Sequence, residues 1–246
     1  MLLRRLAPAL LLALTPFAPA SARQPAAHGH AHATHAPAQP AWPFAKSDLP
    51  LDPTFRFGVL PNGMRYSVRS NATPAGQGMV QMWVHEGSLA ERDDEAGWAH
   101  FIEHMAFNGS THVPEGEMVK LLEREGLAFG ADTNAATNFD NTTYKLDLPR
   151  NDPKLLDTAL MLMREAASEL TFDPQALDRE RGVVLSEKRV RDTFAYRDTI
   201  DQINFAYPGS KFARRLPIGT AESIQNADAA KVKALWQRLY RPQDVA

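Results

Sequence analysis

The residues His100, Phe101, Ile102, Glu103 and His104 hold the chain's most reactive arrangement of side chains. They follow the pattern H-x-x-E-H, the reverse order of the H-E-x-x-H metal-binding arrangement. An α-helix turns once in about 3.6 residues, so histidines four apart project from one face. Glu103 falls beside them. Two imidazoles can ligate a metal, and a neighbouring carboxylate can act as a general base. The same residues also suit a plain solvated His/Glu face, and the motif alone leaves both readings open.

A second pair of acidic residues bears on that choice. Residues 173–187 read as a helix, with Asp173 at the N-cap and Pro174 at the first helical position. Glu180 and Glu187 are seven apart and share a face of it. A hydrolytic zinc site needs three protein ligands and one open position, and a carboxylate from this helix would supply the third. Taken alone, the segment also fits a surface helix laced with ion pairs, because Arg179, Arg181, Lys188 and Arg189 are interleaved.

The surrounding elements place these groups. Trp98, Phe101, Ile102 and Met105 lie on the other side of the first helix, so 95–107 reads as amphipathic with the motif as its polar stripe. Segments 55–60 and 64–69 alternate around Pro61-Asn62-Gly63, a hairpin signal. Further strands are expected at 79–85 and 141–148, and helices near 115–125, 197–205 and 228–240. Leu156, Ala159, Leu160, Met163, Ala167 and Leu170 form a helical stripe and are core residues. The order predicts an α+β fold, an antiparallel or mixed sheet with helices packed on one face.

The run H-F-I-E-H-M-A-F-N-G-S at 100–110, followed by E-R-G-V-V-L-S-E at 180–187, resembles the pitrilysin/insulysin family of zinc metallopeptidases. That family includes the mitochondrial processing peptidases, and the likeness is to its bacterial periplasmic members. Residues 84–91, Asn134-Ala135-Ala136-Thr137, Pro217-Ile218-Gly219 and Tyr240-Arg241-Pro242 extend the resemblance from about Phe55 onward. It implies one zinc ion held by His100, His104 and Glu187. It implies Glu103 as general base and Glu180 as the supporting carboxylate of catalysis. The third ligand rests on register: the interval from His104 is 75 residues to Glu180 and 82 to Glu187, and counting alone favours Glu180. The E-x6-E pattern favours Glu187, with a short insertion at 127–132, where Gly and Asp mark a loop.

The resemblance also implies function. The expected activity is zinc-dependent endopeptidase cleavage of peptides or small unfolded proteins. Substrate would lie extended along an edge strand at Asn134 and Ala135, a segment that also fits an ordinary turn. The family builds its enzyme from two similar halves, and the second supplies an arginine and a tyrosine. The chain thus reads as an amino-terminal portion, truncated at its C-terminus, with a second homologous half as partner in the same longer chain or a separate subunit. As a fragment it is expected to be weakly active or inactive. The rival reading is a non-catalytic peptide- or partner-binding subunit, against which stands retention of all five site residues.

The amino terminus suggests export. Arg4 and Arg5 precede an apolar run from Leu6 to Phe17, and Ala20-Ser21-Ala22 forms an A-x-A cleavage site. Residues 1–22 are thus expected to be a signal peptide and the location periplasmic, with no membrane span after cleavage. Residues 23–47 read as a disordered Ala/Pro/His-rich linker, and 48–246 as the metallopeptidase domain. His28, His30, His32 and His35 suit weak metal binding or simple compositional bias. A formal charge of −2 on 246 residues gives no basis for nucleic-acid binding. The absence of cysteine excludes a thiol nucleophile and any need for disulfides.

Overall fold

A computed structural model describes residues 42–246 apart from Phe129 and Ala131. The expected signal peptide and most of the linker, including its four histidines, lie outside the described residues. Trp42 and Phe44 stack and pack on Phe57, so the packed chain starts ahead of the boundary drawn at 48.

The hairpin forms where expected. Strand β1 (Phe55–Val59) pairs antiparallel with β2 (Arg65–Arg69), in a register that opposes Phe55 to Arg69. Gly63 in the turn has φ of 91°, a conformation that needs glycine. Strand β3 (Gly78–Val84) opens a second sheet of order β3-β5-β4, with β4 at Thr133–Thr137 and β5 at Thr142–Leu148. All pairings are antiparallel. The expected single sheet is thus two among the described residues. A short stretch at 244–246 runs between them, bonded to Trp83 and His85 on one side and Arg65 on the other.

Seven helices follow the strands or interrupt them among the described residues: α1 (Trp98–Met105), α2 (Glu117–Arg124), α3 (Pro153–Ser168), α4 (Pro174–Arg191), α5 (Phe194–Ala206), α6 (Ala221–Gln225) and α7 (Ala229–Leu239). Along β5, Thr142, Tyr144, Leu146 and Leu148 are buried and alternate with half-exposed residues. Helices α1 and α3 pack on this sheet, matching the expected one-sided arrangement. The core joins Phe101, Ile102 and Met105 of α1 to Tyr144, Leu162, Leu235 and Trp236. Full burial of such a side chain stabilises by about 1.5–3 kcal/mol. Among the described residues, no helix is long and apolar enough to cross a membrane.

The polar stripe expected on α1 does not form a solvated face: His100 and Glu103 are 2 % and 3 % exposed. The helix is covered by the sheet, α4 and α7, so its polar face points into the molecule.

Candidate metal centre

The site begins with how α1 is held. Gly97, its N-cap, has φ of 92°, and a Cβ there would lie 2.8 Å from the Gly219 Cα. Two backbone segments thus meet where no side chain fits. The buried Glu91 carboxylate accepts hydrogen bonds from the Gly97 amide at 3.0 Å and the Ala99 amide at 2.8 Å. These are orphan amides of the helix start, where negative charge is favoured. Burial pushes Glu91 up to about 8 against those bonds.

Helix α4 faces α1 with a stripe of Leu177, Glu180, Val184 and Glu187, spaced three or four apart. Its N-cap Asp173 accepts from Gln175 and Ala176, as the sequence implied. Arg181 locks the helix in place by donating to the carbonyls of Ile224, Gln225 and Ala227 at the end of α6.

Between these helices three donor atoms converge. His104 Nε2 lies 3.3 Å from His100 Nε2 and 3.3 Å from Glu187 Oε2, and His100 Nε2 lies 3.5 Å from the same oxygen. Zinc–nitrogen bonds of about 2.0–2.1 Å at tetrahedral angles set donors roughly 3.3–3.4 Å apart. The triangle therefore fits a tetrahedral ion with a fourth corner left over. His100, His104 and Glu187 form one group able to hold a metal.

Glu180 stands on the other side of His104, its Oε1 2.6 Å from Nδ1. It accepts the Nδ1 proton and so leaves Nε2 aimed at the triangle. The two glutamates thus occupy different places: Glu187 among the donors, Glu180 behind one of them. The interval count that favoured Glu180 does not match this placement.

The electrostatics follow from burial and pairing. Burial, with His104 nearby, brings His100 down to about 3. Burial also pulls on His104, but hydrogen bonds to Glu180 and Glu187 win and raise it to about 10. Glu187 drops to about 2 despite burial, through His104, His100 and Arg191. Glu103 is pushed up to about 7 by burial, opposed by His104 and by the Thr137 hydroxyl, which donates to its Oε2 at 2.6 Å.

Asn134 and Ala135 lie in β4, with Asn134 exposed and Ala135 buried. This strand pairs with β5 alone among the described residues, so its other edge is free. The strand ends at Thr137, in contact with Glu103, so the free edge leads to the site. Sequence reasoning assigned no role to Thr137, Glu91 or Arg191. Glu91 and Thr137 stood in segments that carried the resemblance, and Arg191 stood one helical turn after Glu187.

Fold and site together define a class: an α+β domain whose buried helix presents two histidines and a carboxylate to a glutamate-bearing helix. The chain belongs to the insulinase family of peptidases (peptidase family M16), whose profile matches residues 67–202. It is 36% identical over 200 residues to the probable zinc protease PqqL of Haemophilus influenzae, covering 81% of this chain and 22% of that protein. It is 36% identical over 203 residues to the chloroplastic stromal processing peptidase of Pisum sativum, covering 81% of this chain and 15% of that one. The crystal structure of the first half of the periplasmic protease PqqL from Escherichia coli matches with a TM-score of 0.77 and 34% identity, over 80% of this chain and 42% of that one. The chain spans about a fifth of the length of the PqqL relative.

Proposed function

We propose that this chain carries the metal site of a zinc-dependent endopeptidase acting on peptides or small unfolded proteins. The observation behind this reading is the donor triangle of His100, His104 and Glu187, with Glu103 between the histidines in sequence. One zinc ion would be held by His100 Nε2, His104 Nε2 and Glu187 Oε2. Bound there, zinc supplies Lewis-acid polarisation of a carbonyl and lowers the pKa of water towards about 7.

The chain's own residues do the rest. Glu103 takes a proton from the attacking water and passes it to the leaving amine. Burial raises this carboxyl above the ordinary range, the direction that favours its holding the proton between the two transfers. Thr137 fixes one oxygen of that carboxyl and so sets which oxygen is free to accept. Glu180 fixes the tautomer of His104. Substrate backbone adds to the free edge of β4 at Asn134 and Ala135, so recognition rests on extended main chain.

The full activity belongs to a longer protein, with a second homologous half as partner. Export to the periplasm fits the leader-like residues 1–22 and the location of the PqqL relative. Two substitutions test the reading. His100→Ala removes stoichiometric zinc from the purified protein, whereas Glu103→Gln keeps zinc and removes peptide hydrolysis by the longer protein. Zinc loss in Glu103→Gln equal to that in His100→Ala would end its assignment as base.

A further inference from the structure

One charged group at the site is used by none of these steps. Arg191, in the last turn of α4, forms an ion pair with Glu187, four residues earlier. An ordinary pair of this spacing lies on a solvated face and adds little to stability. This one differs in two ways. Both side chains are only 18 % exposed. The carboxylate is also divided: Oε2 faces the two histidines, and Oε1 faces Arg191.

A carboxylate with both oxygens free meets a divalent cation through one oxygen or two. With Oε1 in an ion pair with a guanidinium that never loses its proton, one oxygen remains. We propose that Arg191 is a positioning residue that restricts Glu187 to single-oxygen coordination and keeps the fourth corner of the site open. This rests on the zinc reading above and deepens it, because an extra carboxylate oxygen would take the place a hydrolytic site reserves for water.

Two effects of Arg191 on metal affinity oppose each other. Its positive charge repels a cation, and its ion pair preorganises a ligand. The ion pair already offsets much of that charge, and losing an outer partner of a ligand typically costs about 10–100-fold in metal affinity. Positioning is therefore expected to dominate.

The test uses zinc and cobalt(II) as probes, with no activity readout. The unsubstituted protein, Arg191→Gln and Arg191→Lys are titrated with zinc against a chelator, then loaded with cobalt. Arg191→Gln is expected to bind zinc about 10–100-fold more weakly. It should also lose visible absorbance per cobalt, because added oxygen coordination weakens the bands of a four-coordinate ion. Arg191→Lys keeps a cation that reaches Oε1 and recovers most of both. It also guards against a folding defect, because thermal unfolding of the metal-free Arg191→Lys protein should match that of the unsubstituted one. Equal or tighter zinc binding by Arg191→Gln, or a cobalt spectrum matching the unsubstituted protein, overturns the proposal. If the unsubstituted protein takes up neither metal, the zinc reading itself fails.

Discussion

The two helices that build the candidate metal centre are held by different physics. In α1, seven of eight residues are buried, and its polar side chains are fixed because they are part of the core. In α4, 18 residues long, only Ala176, Leu177 and Val184 are buried. Its glutamates are set by charge pairs and by the Arg181 clamp. The histidine side of the site is therefore tied to the stability of the whole fold. The glutamate side can be altered while the fold stands.

The largest break in that contrast comes from volume. Phe101→Ala, at a position that is 0 % exposed, should cost about 3–5 kcal/mol in denaturant unfolding. Val183→Ala on α4, 42 % exposed, should change stability by no more than about 0.5 kcal/mol. Similar losses at both positions would erase the distinction between the helices.

The glutamates sharpen it next. Glu187→Gln should abolish tight zinc binding, since it removes a ligand. Glu180→Gln should weaken binding by about 10–100-fold, as an outer partner does. Metal analysis giving the reverse order would make Glu180 the ligand. Both variants should unfold close to the unsubstituted protein.

A smaller effect is read through pH. Glu91 is raised in the folded state from 4.5 to about 8. A raised carboxyl binds more protons folded than unfolded, so its contribution is present below pH 4.5 and lost as pH rises through about 8. Glu91→Gln should flatten that part of the stability profile, and an unchanged slope would show that the amide bonds keep Glu91 ionised. The cap of α4 gives a modest loss: Asp173→Ala should cost about 1 kcal/mol, measured by thermal unfolding.

Much of this was legible in the sequence because fixed periods carry it. H-x-x-E-H and E-x6-E each define one helix face, and the Asp173-Pro174 start and the Pro61-Asn62-Gly63 turn are local signals. What escaped depends on distant packing. Strand β4 is Thr-Asn-Ala-Ala-Thr, small and polar, so its own pattern also fits a turn; the edge strand was expected from the resemblance alone, and pairing with β5 makes it one. The five residues of α6 are too few to show a period. The burial of His100 and Glu103 was hidden because periodicity reports which residues share a face, not what covers it. Glu91 reaches its amides across a turn, and Thr137 lies 34 residues from Glu103, so neither contact leaves a local pattern.

The bond from Thr137 to Glu103 has a mechanical consequence. Strand β4 pairs with β5 along one edge and, among the described residues, with no strand along the other. Its last residue holds Glu103 through one hydroxyl. On the function proposed above, an extended chain laid along β4 would therefore order a carboxylate that it need not touch.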